Sequence, residues 1–332
     1  YAGMTAVYRL RFKVGGHATG RASRVSPLCP PLPPSLRELD SLGRTAQSHG
    51  MIATTSRPAP ADHPDLPALL SRPTAAVMGV LNVTPDSFSD GGQFIAPERA
   101  LAQARRMIAE GADIVDIGAE STRPYGGAQP VSVEDELQRL RPVLGRVVAL
   151  GTPVSIDSMK SAVVAWALDA GAAIANDVWG LQRDPDMASV VAEHGVPVIV
   201  MHNRDRADAG IDIMQDIAAF FTRSLDIAAR AGIAESQIVL DPGIGFGKTP
   251  EQSMTALARL DELRRFGLPL LVGASRKRFI STIAPSETDQ RLGGSIAAHV
   301  LAARAGARII RTHDVSETVQ ALRVAAAIEE RR

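Results

Sequence analysis

Asn82, Glu120, Asp157, Asn176, His202, Asp241, Ser275 and the pair Arg311 and His313 each stand at the end of a short aliphatic run. Asp157, Asn176 and Asp241 together supply acceptors and one amide that both donates and accepts. Such a set suits a flat heterocycle with N–H donors and ring acceptors. Arg123, Lys277, Arg311 and His313 can hold an anion, because arginine grips phosphate oxygens bidentately and lysine adds a point charge. Asn82 can give an oxygen to Mg2+, an ion that keeps waters and takes phosphate oxygens. Asp157 or Ser275 taken alone reads as a helix N-cap. A polar side chain at the end of every one of the eight runs reads as the rim of a binding site.

Two other motifs fail on their spacing. The segment DPGIGFGKT at 241–249 has Pro242 where the phosphate loop GxxxxGK[ST] requires glycine, so its glycines are read as letting a tight loop pass close to a ligand. His202 and His313 lack the spacing of a zinc-binding helix, and zinc is set aside.

The runs themselves are predicted strands, at 75–83, 113–119, 154–157, 173–178, 196–202, 238–241, 270–275 and 308–313. Segments of helical period fall between and after them, near 97–110, 132–149, 159–170, 185–194, 212–231, 250–266, 289–305 and 315–330. Glycines at 111, 171, 195, 232, 267 and 306 mark helix stops. Apolar strands separated by helices form a parallel sheet covered on its faces. Eight repeats over about 260 residues fit an α/β fold of the TIM (β/α)8-barrel type, and the GxGxxG turn of an open doubly wound sheet is missing. In such barrels the strand C-termini carry the active site.

Acidic and basic residues balance at 36 each, so the charge footprint of a nucleic-acid binder is absent. The lone cysteine, Cys29, excludes a disulfide within the chain. No apolar run reaches the length of a membrane helix, which gives the expectation of a cytoplasmic protein with no membrane partner. Residues 1–70 differ from the rest, with eight prolines between Pro30 and Pro67 and weak periodicity, and are expected to be a disordered extension preceding a domain at 71–332. Basic residues before Glu38 resemble a transit peptide in composition; an over-extended start, with Met51 opening a shorter product, is the favoured reading.

Seven segments in order resemble dihydropteroate synthases: GVLNVTPDSFSDGG at 79–92, ESTRP at 120–124, SID at 155–157, ND at 176–177, LDPGIGFGK at 240–248, GASRK at 273–277 and RTHD at 311–314. The resemblance runs from about residue 74 to about residue 331. It implies a condensation of (7,8-dihydropterin-6-yl)methyl diphosphate with 4-aminobenzoate, giving 7,8-dihydropteroate and pyrophosphate in folate biosynthesis, with Mg2+ as cofactor. By resemblance, Asp157, Asn176, Asp241 and Lys277 bind the pterin, whose edge matches the acceptor set above. Asn82, Thr122, Arg123, Arg311 and His313 face the pyrophosphate, Asn82 also the metal. Thr122, Pro124, Phe246, Ser275, Lys277 and Arg278 border the 4-aminobenzoate. Asp157, Asp241, Lys277, Arg311 and His313 carry the catalytic roles. A homodimer through the last helices and sensitivity to sulfonamides are implied as well.

Three positions depart from the family pattern. Tyr125 and Gly126 read as an insertion in the second loop, Ile244 stands where phenylalanine is frequent, and Arg278 stands where a small hydroxyl residue is common. Two competing functions share the pterin set: a methyltetrahydrofolate–corrinoid methyltransferase and a non-catalytic pterin-binding paralogue. The first has no need of the anion pocket that Arg311, His313 and Lys277 imply, and the second has no need of so complete a rim.

Overall fold

The computed structural model of the protein describes residues 66–84, 95–120 and 131–332. Eight parallel strands close into a barrel in sequence order. They are β1 (Ala76–Asn82), β2 (Ile114–Gly118), β3 (Val154–Asp157), β4 (Ile174–Asp177), β5 (Val198–Met201), β6 (Ile238–Asp241), β7 (Leu270–Val272) and β8 (Ala307–Thr312). Each predicted strand is present, with ends within three residues of the expected ones.

Side chains alternate across the barrel wall, as the pleat requires. One set, including Met78, Ile114, Ile174, Ile199, Val239, Leu271 and Ile309, forms an apolar floor inside the barrel. The other set, including Val77, Val115, Ile156, Val198, Leu240 and Ile310, packs outward against the helices.

The helices are α1 (Leu66–Leu70), α2 (Ile95–Ala109), α3 (Val133–Leu140), α4 (Leu144–Val148), α5 (Ser161–Asp169), α6 (Met187–His194), α7 (Ile213–Ala231), α8 (Pro250–Ala258), α9 (Arg278–Ile283), α10 (Leu292–Arg304) and α11 (Val315–Glu329). The single helix expected at 132–149 is split into α3 and α4 at Pro142, which has no N–H to continue the helical hydrogen bonds, although Arg141 before it keeps helical backbone. The helix expected at 250–266 is α8 followed by a 3-10 segment, Leu260–Phe266. Short α9 was not expected.

Helix α1 corrects the boundary of the extension. Leu66 and Leu69 are buried against the barrel floor. The Arg308 guanidinium donates to the carbonyl oxygens of Leu70 and Arg72, and Asp113 pairs with Arg72 while accepting from the Val77 N–H at 2.9 Å. The ordered unit therefore begins by Leu66, before the expected 71. The rest of the expected disordered segment, residues 1–65, lies outside the described residues. Among the described residues no helix is long and apolar enough to cross a membrane.

Candidate active site at the barrel mouth

Above the apolar floor, the inward positions turn polar. On β2 the residue after Ile114 on the inner face is Asp116, fully buried. On β3 the inner face carries Ser155 and Asp157, on β4 Asn176, on β6 Asp241, and on β8 Arg311. The Arg311 guanidinium lies between two carboxylates, its Nε donating to Asp116 Oδ2 at 2.6 Å and an Nη to Asp157 Oδ2 at 2.7 Å. Asn176 Nδ2 donates to the same Asp116, at 3.2 and 3.3 Å to its two oxygens. Asp157 Oδ1 and the Ser155 hydroxyl are buried without a hydrogen-bond partner. A buried polar atom with no partner is uncommon and costs of the order of 1–3 kcal/mol, so a carboxylate oxygen left so at a barrel mouth points to a ligand.

The β6–α8 loop folds over this layer. Asp241 Oδ1 accepts the Gly243 N–H at 2.7 Å. Gly243 has φ 64°, and a Cβ there would lie 2.0 Å from the His202 carbonyl oxygen, so only glycine lets the loop pass. Phe246 is carried to the mouth, and the Lys277 ammonium sits 4.0 Å from its ring centroid, a cation–π distance. Ser275 Oγ accepts the His313 backbone N–H at 3.2 Å and lies 3.0 Å from His313 Nδ1. Arg278 opens α9 and is exposed.

The electrostatics follow from burial. Burial pushes the Asp157 carboxyl well above the usual carboxylate range, against the pull of Arg311 and with help from the neighbouring charge of Asp116. Asp241 is pushed up to about 6, again by burial, although the Gly243 N–H, Lys277 and Arg311 favour its ionised form. Burial works to lower Arg311, but Asp116 and Asp157 outweigh it and hold the guanidinium above its ordinary value. The mouth thus holds carboxylates that lack solvation and would gain from N–H donors or a developing positive charge.

Some expected rim residues face elsewhere. Asp177 is on the outer face of β4, where it accepts the Trp179 and Leu181 N–H groups at 2.9 and 2.6 Å. His202 follows outward-facing Val198 and Val200 and stands edge-on to Phe220 of α7, 4.9 Å between ring centroids. Its Nε2 lies 3.0 Å from Asp216 Oδ2, and its Nδ1 2.6 Å from the buried Lys248 ammonium. Glu120 pairs with Lys160 and accepts the Val131 N–H at 3.1 Å. Of the residues expected to touch ligands, Asp157, Asn176, Asp241, Phe246, Ser275, Lys277, Arg311 and His313 come together around the mouth, and Asn82 ends β1 at its rim, beside α2. Thr122, Arg123 and Pro124, and the insertion at Tyr125 and Gly126, lie outside the described residues. A cavity of about 470 Å³ opens between β1 and α2 beside Asn82, Arg99 and Arg106, but it contains none of the carboxylates and is not the site.

The sequence reading missed Asp116 and the placement of Lys248. Asp116 sits inside a strand, two residues before its end, where position at a strand end gives no signal. The parity shared with inward Ile114 was the available signal.

A family model described as pterin binding enzyme matches residues 78–313. The chain belongs to the pterin-binding enzyme family. Within that family it is 44% identical over 251 residues to the dihydropteroate synthase of Bacillus subtilis, covering 75% of this chain and 87% of the relative. The solved structure of Xanthomonas albilineans dihydropteroate synthase with 4-aminobenzoic acid matches with a TM-score of 0.74 at 45% identity, over 78% of this chain and 94% of that one. The structure of the Xanthomonas albilineans enzyme in complex with 7,8-dihydropteroate matches with a TM-score of 0.72 at 42% identity, over 78% and 95% of the two chains. In this chain the polar residues of β2, β3, β4, β6 and β8 gather on one mouth of the barrel.

Proposed function

We propose that this mouth is the active site of a dihydropteroate synthase, a transferase that joins (7,8-dihydropterin-6-yl)methyl diphosphate to 4-aminobenzoate and releases pyrophosphate. The observation that carries the reading is the buried, unpartnered Asp157 Oδ1 beside Asn176 and Asp241, in a chain of this family. Ring N–H groups of a dihydropterin satisfy these acceptors. As the bond from the methylene carbon to the diphosphate oxygen breaks, positive charge spreads into the ring, and Asp157 and Asp241 stabilise it in a site where water is excluded. The neutral aryl amine then forms the new carbon–nitrogen bond and loses a proton, so no strong protein base is needed. Phe246 and Lys277 border the aryl group, and Arg311 and His313 face the departing anion.

Mg2+ fits this donor set in a limited sense. Asn82 offers one hard oxygen to an ion that otherwise takes phosphate oxygens and water. Once bound, the ion would neutralise charge on the leaving group.

Exposed Leu301 on α10 and Val324 and Ile328 on α11 support a homodimer through these helices. Sulfonamides, which carry the aniline of 4-aminobenzoate, would then compete at the Phe246 and Lys277 edge. The deciding experiment is pyrophosphate release from the pterin diphosphate with and without 4-aminobenzoate. Release that needs both and yields dihydropteroate is expected; no release under any Mg2+ concentration sinks the reading.

A further inference from the structure

We infer that Asp116 is a positioning residue of this site, which turns the amide of Asn176 so that its oxygen, and not its nitrogen, is presented to the bound ring. Asp116 is fully buried, so it does not meet a ligand itself. It acts through its two partners, Asn176 Nδ2 at 3.2 and 3.3 Å and Arg311 Nε at 2.6 Å.

The argument is one of donor and acceptor roles. An asparagine amide has two orientations that differ little unless a neighbour chooses between them. A carboxylate paired with a guanidinium only accepts, so the amide group against it must be the NH2. The flipped state would set oxygen against oxygen in a buried place, at the cost of an unsatisfied donor and a repelled acceptor. Asn176 therefore offers Oδ1 on its other side and selects a ligand edge that donates there. The same carboxylate fixes Arg311 Nε, and so the plane in which the guanidinium reaches Asp157 Oδ2 at 2.7 Å. Asp157 is thereby held with Oδ1 unpartnered. Two ligand-facing acceptors, on β3 and β4, are oriented from one buried residue on β2. The next inward residue on β2 is Gly118, where a Cβ would stand 3.4 Å from the Asp157 Cβ, so that no side chain on β2 comes between Asp116 and the ligand layer.

This rests on the reading that the pterin binds at Asp157, Asn176 and Asp241, and the test separates the two. Equilibrium binding of the dihydropterin substrate is followed by fluorescence alongside steady-state turnover, in wild-type protein, Asp116→Asn, Asn176→Asp and the double swap. In Asp116→Asn the pterin Kd and KM should rise about tenfold or more, while KM for 4-aminobenzoate stays within about twofold, since one charged buried contact is lost on the pterin side only. The double swap restores an amide facing a carboxylate and should bind pterin better than either single variant. A pterin Kd in Asp116→Asn within about twofold of wild type, or both KM values rising together, overturns the assignment. So does a double swap that binds no better than Asn176→Asp alone, a comparison that stands even if Asp116→Asn fails to fold. Wild-type protein that binds pterin but releases no pyrophosphate would count against the proposed reaction and leave the binding test of Asp116 intact.

Discussion

Two buried polar clusters, one inside the barrel and one outside it, differ in how completely they are satisfied. Inside the barrel, Asp116 and Asp157 share the Arg311 guanidinium, Asn176 donates to Asp116, and Asp157 Oδ1 is left without a partner. Outside it, between strands and helices, Lys248 donates to the Gly243 and Phe246 carbonyl oxygens at 2.9 and 3.1 Å and lies 2.6 Å from His202 Nδ1. His202 and Arg204 in turn hold Asp216, whose carboxyl is kept well below the usual range by His202 first and Arg204 next, against its partial burial. Burial lowers His202 to about 4 and Lys248 to about 7, each further lowered by neighbouring cations. The outer cluster closes on itself and anchors the loop that carries Asp241 and Phe246. The inner cluster waits for a ligand. Glu136 Oε1 on α3 and His299 Nε2 on α10 are also buried without a partner, so what marks the inner cluster is an unpartnered carboxylate oxygen together with its place at the barrel mouth.

The sharpest way to break this contrast is to remove the cation at the centre of the inner cluster. Arg311→Ala leaves Asp116 and Asp157 buried and unpaired, a class of change that costs about 3–5 kcal/mol. We expect a large fall in Tm together with loss of turnover, measured by thermal unfolding and pyrophosphate release. A variant with unchanged Tm would show that the two carboxylates do not depend on Arg311.

Asp157→Asn should separate function from stability. The amide keeps the shape, removes a charge that burial disfavours, and loses a charged contact to the ring worth about 1.5–3 kcal/mol, or about 10- to 100-fold in kcat/KM. Tm should move by only a few degrees, on the order expected for about 1 kcal/mol. A fall in Tm without a fall in kcat/KM would place Asp157 in the scaffold.

The pH dependence follows from the sign of the Asp241 shift. Its folded pKa is raised to about 6, so the folded protein binds the proton more tightly than the unfolded chain. Stability is then highest below the unfolded carboxylate pKa, falls as pH rises from about 4 to about 6, and is flat above for this group. Activity runs the other way, because the ionised carboxylate is the working form. The acid limb of kcat/KM should bend near pH 6 while Tm declines through the same window. A profile flat from pH 5 to 8 would mean that Asp241 does not titrate in the free site.

Lys248→Met tests the outer cluster. It strands two loop carbonyls and His202 Nδ1, so Tm should drop by the equivalent of about 1–3 kcal/mol. The effect on kcat/KM should be smaller than that of Asp157→Asn and should fall on KM for 4-aminobenzoate, through Phe246. Lost turnover with unchanged Tm would move Lys248 into the site.

The sequence made the barrel legible because its strands are short aliphatic runs at regular spacing, and it made Asp157, Asn176 and Asp241 legible because they end those runs. Three things escaped for physical reasons. His202 and Asp177 also end or nearly end their runs, but strand parity turns them outward, and one residue of register decides that. Asp116 was hidden inside a strand whose other residues are apolar. Leu66 and Leu69 follow a proline-rich stretch whose composition overshadows a five-residue helix that only tertiary packing stabilises.

The smallest expected effect is at Arg278. Arg278 is the first residue of α9 and is exposed, next to Lys277, whose ammonium lies against Phe246. A guanidinium there can reach the carboxylate of 4-aminobenzoate across the open side of the mouth, with the N-terminal N–H groups of so short a helix adding little. A contact between exposed charges contributes about 1 kcal/mol or less, a factor of about five. Arg278→Ser should therefore raise KM for 4-aminobenzoate by no more than about fivefold and leave KM for the pterin diphosphate and Tm unchanged. The contrast between inner and outer clusters sharpens if this holds, because the aryl acid would then be read at a solvated edge and the pterin in the buried layer. A pterin KM that rises as far as that for 4-aminobenzoate would show instead that Arg278 supports Lys277 in the pterin layer, and that the two substrate edges are not independent.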